Sequence, residues 1–151
     1  MAEPLPRLLI ERLPHARDLA PPAYQSRDAA GLDLRAAVDG TLTLAPGERA
    51  AVPSGLRMVL PVGHEGQVRP RSGLAVRHGV TCLNAPGTID ADYRGEVMVI
   101  LVNLGNAPFA VERGMRIAQL VVAPVTRVAI AMSTVTDDTP RSSGGLGSTG
   151  L

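Results

Sequence analysis

Two carboxylates and a tyrosine stand together in Thr88-Ile89-Asp90-Ala91-Asp92-Tyr93-Arg94-Gly95, directly before an apolar run. In an extended chain Asp90 and Asp92 share a face, which suits water activation or metal handling, and Tyr93 points the other way unless a turn intervenes. The structural alternative is a pair of aspartates capping a turn beside an edge tyrosine. Upstream, Arg69-Pro70-Arg71-Ser72-Gly73 gathers two guanidinium groups, a hydroxyl and a flexible backbone. That set can bind phosphate oxygens or form a solvated surface turn. Asn84-Ala85-Pro86-Gly87 is a turn signal, making Leu83 to Tyr93 a candidate hairpin whose backbone edge is free to read a planar ligand. Asn84 offers both a donor and an acceptor, as a base edge requires. Gln119 is a polar residue in an apolar strand pattern, where such residues face either solvent or a ligand. The tail Gly145-Leu146-Gly147-Ser148-Thr149-Gly150 matches GxGxxG by letter, but it follows no strand and opens no helix, so it is no dinucleotide fingerprint. With Arg141 it instead supplies hydroxyls and N–H groups suited to closing over a polyphosphate.

Composition removes several chemistries. All 15 basic residues are Arg, so neither a P-loop lysine nor a Schiff-base amine is available. One cysteine, Cys82, makes no intrachain disulfide and no Cys-rich zinc site, which fits a reducing compartment. His15, His64 and His78 lack ligand spacing. A net charge of +1 gives no long-range attraction for a nucleic-acid backbone or an anionic membrane, so any polyphosphate site must be local. No apolar stretch approaches the roughly 20 residues of a membrane span, and no basic segment leads into an apolar one near residue 1. A cytoplasmic protein without nucleic-acid or membrane partners is expected.

The elements that must hold these groups are short strands. With 16 Gly and 13 Pro among 151 residues, and ample Val, Ile and Leu, composition favours many short turn-linked strands over a helical bundle. Strands are expected at Leu8–Leu13, Thr41–Leu44, Ala50–Val52, Leu56–Leu60, Ile117–Val122 and Val125–Met132. Val97–Val102, a β-branched run too short for a helix, should be the central strand, buried on both faces. Two Tyr, one Phe and no Trp leave the core to small branched residues, or leave part of the packing to contacts between subunits. The sum is an all-β sandwich, jelly roll or barrel over residues 1–136, followed by a Gly- and Ser-rich arm over 137–151 that either does nothing or folds over a ligand.

Five segments in order resemble the motifs of the trimeric dUTPase family. They are Ala30-Gly31-Leu32-Asp33-Leu34-Arg35-Ala36; Pro70-Arg71-Ser72-Gly73-Leu74; Leu83-Asn84 through Gly87-Thr88-Ile89-Asp90-Ala91-Asp92-Tyr93-Arg94-Gly95; Arg116-Ile117-Ala118-Gln119-Leu120; and Arg141 through Gly150. The resemblance runs from about residue 8 to the end. It implies a jelly-roll-like subunit, a homotrimer with interfacial active sites, and hydrolysis of dUTP to dUMP and pyrophosphate with Mg2+ on the triphosphate. By position, Asp90 is implied as the base that activates water. Asn84, Thr88, Ile89, Tyr93 and Met98 are implied at the nucleoside, with the Tyr93 ring against the deoxyribose. Arg71, Ser72, Gly73 and Gln119 are implied at the phosphates from a neighbouring chain. Asp33 is implied to support Mg2+ through water or to support the site's architecture. Arg141, Leu146, Gly147, Ser148 and Thr149 are implied to close over the substrate.

Two alternatives stand beside this reading: a dCTP deaminase of the same fold, for which Glu96 and Glu112 are the available glutamates, and a jelly-roll binding protein without turnover. One departure from the family pattern is Leu146, where an aromatic residue usually stacks on the uracil. Leucine keeps apolar cover but loses stacking worth about 1–3 kcal/mol. Leu146→Phe is therefore expected to lower KM for dUTP, and a steady-state KM that is unchanged or higher would contradict it.

Overall fold

Strands form where apolar and β-branched residues run for a few positions between Gly, Pro and Asn, as the composition dictates. A computed structural model describes residues 5–145. Its strands are β1 (Leu9–Arg12), β2 (Leu32–Arg35), β3 (Leu42–Leu44), β4 (Arg49–Pro53), β5 (Leu56–Val59), β6 (His64–Arg69), β7 (Val80–Cys82), β8 (Gly87–Ile89), β9 (Met98–Asn103), β10 (Phe109–Val111) and β11 (Arg116–Pro124). One short helix, α1 (Ser72–His78), lies between β6 and β7. The strands pair antiparallel in four small sheets, ordered β2-β11-β6-β8, β4-β9-β7, β1-β5 and β10-β3, giving the expected all-β, jelly-roll-like architecture.

The apolar run at 97–102 does occupy the middle of its sheet: β9 pairs Val99 with Val52 of β4 and Leu101 with Cys82 of β7. Val97, Val99, Leu101 and Val102 are all buried, each contributing about 1.5–3 kcal/mol relative to exposure. Across the core lie Leu34 of β2 and Ile117, Ala118 and Leu120 of β11. Phe109 is the one buried aromatic among the described residues; Tyr24 and Tyr93 are exposed. The core is thus built from small branched side chains within the chain itself. Strand β11 carries a bulge between Arg116 and Ala118, which pair with the consecutive residues Arg35 and Leu34 of β2.

Three expectations are corrected. Val125–Met132 is not a strand: Val125 N–H donates to Gly63 C=O at 2.8 Å, and beyond it Val128, Ile130 and Met132 stand exposed. Alternating β-branched residues stabilise a strand only where a partner edge and a covered face exist, and the described residues supply neither there. Leu83–Tyr93 is not a hairpin, because β7 joins β9 while β8 joins β6, in different sheets. The Ser72-Gly73 segment, for which a solvated surface turn is the structural alternative, instead opens α1, which stops at Gly79 in the left-handed conformation (φ 67°) with its N–H on the Ala75 carbonyl.

Burial pushes the Cys82 thiol from 9.0 up to about 11. An unfolded chain releases this proton near pH 9.0 and the folded chain only near 11, so the thiol's contribution to stability is complete below pH 9.0 and disappears toward about pH 11. Urea midpoints taken across that range are expected to fall more steeply for the native chain than for Cys82→Ala; parallel profiles would contradict this.

Candidate functional site

Two groups of polar residues lie at the rim of the sheets. The first surrounds a cleft of about 170 Å3 between β6, β8 and the start of β9. Asn84, Thr88, Ile89, Asp90, Tyr93 and Met98 line it, together with Val68, Gly87, Glu96 and Val97. The floor is sequence-determined. Strand β8 pairs with β6 through Gly87↔Val68 and Gln67↔Thr88, and a Cβ at residue 87 would come within 3.0 Å of the Asn84 amide nitrogen and 3.3 Å of Val68 Cβ. Glycine there lets the Asn84 amide lie over the strand. Because β8 is the outer strand of its sheet, one backbone edge carries N–H and C=O groups without a strand partner. The free edge expected of a hairpin is therefore present, but it belongs to a sheet margin.

Asp90 and Tyr93 are brought together by a turn, Tyr93 N–H donating to Asp90 C=O at 3.1 Å. Extended alternation does not apply, so Asp90 and Asp92 do not share the small cleft. Asp92 instead meets Asp90 in an adjoining groove of about 700 Å3 that also holds Arg94 and Arg127. Tyr93 folds back over this turn, its hydroxyl donating to Glu96 C=O at 2.9 Å, and a Cβ at Gly95 would run into that hydroxyl. Arg94 closes the turn by donating to Ala91 C=O and Tyr93 C=O, each at 2.8 Å.

The second group centres on Asp33, a β2 carboxylate only 4% exposed. Arg116 Nη1 donates to Asp33 Oδ2 at 3.1 Å, and Arg71 Nε lies 3.7 Å from Oδ1. Arg71 Nη1 also donates to Arg116 C=O at 3.1 Å. Gln119 sits opposite Asp33 in the β2–β11 register, and a Cβ at Gly31 would stand 3.2 Å from Gln119 Cβ. Ser72 and Gly73 follow Arg71 as the first residues of α1. None of Asp33, Arg71, Ser72, Gly73 or Gln119 lines either cleft around Asp90. Arg141 is exposed, donating from Nε to Gly144 C=O at 3.1 Å, and it lines neither cleft. Leu146, Gly147, Ser148 and Thr149 lie outside the described residues.

Among the described residues no three His, Cys, Asp or Glu side chains gather as a metal site. Asp33 directs both oxygens at guanidinium groups, so it is a poor direct ligand. Arg116 and Glu96 are site residues that sequence reasoning did not assign. The signal for Arg116 was the cation opening Arg116-Ile117-Ala118-Gln119; for Glu96 it was a lone carboxylate between Gly95 and a buried valine.

Solved structures share this fold. The dUTPase of Staphylococcus bacteriophage 80alpha with dUpNHpp matches 96% of this chain and 99% of its own at a TM-score of 0.83 and 23% identity. A variant of the dUTPase of S. aureus phage phi11, described with a structural Mg(II) ion, matches 87% and 99% at 0.75 and 20%. These likenesses define the class of fold: an all-β domain of dUTPase type. Sequence carries the assignment further. The dUTPase family profile matches residues 18–150, and the chain belongs to that family. The deoxyuridine 5'-triphosphate nucleotidohydrolase of Rhizobium meliloti is 61% identical over 96% of this chain and 92% of its own length; that of Methylocella silvestris is 59% identical over 99% and 94%.

Removing the Asp33 carboxylate leaves two guanidinium groups without their shared partner. Since Arg71 and Arg116 keep some solvent, Asp33→Ala is expected to cost about 1–3 kcal/mol, less than a fully buried pair. Urea unfolding measures this, and a loss within error of zero would refute the clamp.

Proposed function

We propose that the protein hydrolyses dUTP to dUMP and pyrophosphate by attack of water on the α-phosphorus. The observation that carries this is the cleft around β8, where the residues expected at the nucleoside meet Asp90. At about 170 Å3 the cleft is smaller than the roughly 300–1,000 Å3 of pockets that take a whole ligand, so it suits a nucleoside with the phosphates outside. Uracil, with its alternating acceptors and donor, pairs with the free edge of β8 and the Asn84 amide. Cytosine presents the wrong pattern and leaves buried polar groups unpaired, which discriminates strongly. Thr88, Ile89 and Met98 line the same cleft. The Tyr93 ring packs on the deoxyribose and leaves no room for a 2′-hydroxyl.

Asp90 acts as general base, its exposed carboxylate taking a proton from the attacking water at the cleft mouth. Arg71, Ser72, Gly73 and Gln119 bind phosphates for a neighbouring subunit of a homotrimer. Their separation from the Asp90 clefts within one chain supports that division. Residues 1–136 form the catalytic domain, and 137–151, with Arg141, Leu146, Gly147, Ser148 and Thr149, close over the substrate. No cluster of His, Cys, Asp or Glu among the described residues would cage a metal, so a magnesium ion would take its ligands mainly from the triphosphate and water. When bound, the ion would neutralise phosphate charge, and Asp33 would support it through water or support the architecture around it. In a cytoplasmic setting this reaction supplies dUMP for dTTP synthesis and keeps uracil out of DNA.

Asp90→Asn is expected to lower kcat by about 10²–10⁴-fold with KM little changed, read as pyrophosphate release from dUTP. Near-native kcat would remove Asp90 from the role of base, and ammonia release from dCTP by the native enzyme would favour the deaminase alternative.

A further inference from the structure

Tyr93 lines the cleft, yet it is 45% exposed. Its hydroxyl is anchored on the Glu96 carbonyl, so the ring is as well placed as residue 96. Glu96 is in turn held by its side chain, which is 24% exposed: Oε1 accepts the Gly55 N–H at 2.7 Å and faces His15 Nε2 at 3.0 Å. His15 comes from the short 3₁₀ turn Pro14–Ala16, near the other end of the chain. That turn is seated on Gly55, where Leu13 N–H donates to the Gly55 carbonyl at 2.8 Å and an added Cβ would run into Ala16. Arg113 grips its far side, donating to His15 C=O at 2.6 Å while pairing with Asp18.

We propose that Glu96 is a positioning residue for the Tyr93 ring, and that His15 and Gly55 hold it in place, so that discrimination between deoxyribose and ribose is set partly from the N-terminal turn. The proposal rests on the reading of Tyr93 as the sugar-facing wall. A carboxylate with two partners on one oxygen has a fixed rotamer, and the peptide carbonyl attached to it is fixed with it. Without those partners the 94–96 segment relaxes and the phenol loses a fixed acceptor. The ring then samples positions that admit a 2′-hydroxyl. None of these contacts involves the Asp90 side chain, so the effect belongs to KM and to sugar choice more than to kcat.

The test combines kinetics with spectroscopy on the full-length protein. Glu96→Ala is expected to reduce the ratio of kcat/KM for dUTP to that for UTP about tenfold, mainly through KM, the scale of one lost polar anchor. Glu96→Gln keeps an oxygen for the Gly55 N–H and is expected to restore most of the ratio. His15→Ala should act in the same direction and add nothing in the Glu96→Ala background. With two tyrosines in the chain, ring-labelled tyrosine NMR resolves Tyr93 once Tyr93→Phe assigns it. The Tyr93 ring signals should move toward those of a freely flipping ring in Glu96→Ala and stay in Glu96→Gln. A folded Glu96→Ala with native sugar discrimination and native ring signals overturns the proposal, as does lowered thermal stability with both unchanged. Should Glu96→Ala fail to fold, His15→Ala decides: a native ratio and native ring signals overturn the proposal. If the native protein releases no pyrophosphate from dUTP, the functional reading fails, while the ring signals still decide whether Glu96 holds Tyr93.

Discussion

A carboxylate that is 4% exposed needs polar partners inside the fold, and Asp33 has two, Arg71 and Arg116. This one requirement organises the polar half of the molecule. It ties β2 to β11 at the side chains as well as the backbone, and it draws Arg71 across from the end of β6 onto the Arg116 carbonyl. The helix that follows Arg71 starts where that tether ends, so Ser72 and Gly73 are set by a charge pair formed elsewhere in the fold. Arginine suits the task, since a planar guanidinium can contact a carboxylate with one nitrogen and a carbonyl with another.

The Asp90 half is organised by the absence of side chains. Gly87 makes room for the Asn84 amide and Gly95 makes room for the Tyr93 hydroxyl. Two of the residues that face the nucleoside in the proposed reaction are thus shaped by neighbours lacking a Cβ. Gly31 does the same beside Gln119. The high glycine content first suggested turns, yet at these positions it serves close approach of functional groups to the backbone. The scarcity of aromatics is coherent with this picture: aliphatic packing between strands leaves Tyr93 at the surface rather than in the core.

Much of this was legible in the residues, for definable reasons. The run at 97–102 could be nothing but a buried strand, because its length and β-branching oppose a helix. The cleft residues were found as motifs, and their sequence proximity to β8 brings them together in space. What escaped depended on partners. Val125–Met132 has strand-forming residues but no covered face among the described ones, so pattern without a partner misled. The pairings of β7 and β8 with different sheets are long-range choices that a turn signal at Asn84 to Gly87 does not encode. The clamp on Asp33 was hidden because Arg71 and Arg116 are 45 positions apart, and Glu96 was hidden because its partners are Gly55 and His15.

The bulge in β11 has a consequence for how the motif around it must be spelled. In a regular strand, side chains three positions apart point to opposite faces. Here the extra residue between Arg116 and Ala118 resets the alternation, so that Ile117 and Ala118 both turn inward while Arg116 and Gln119 both stay at the boundary with solvent. A spacing that looks helical on paper is therefore carried by a strand. Deleting Ile117 or Ala118 would restore the regular alternation and leave Arg116 and Gln119 on one face, at the cost of one inward apolar side chain from the core.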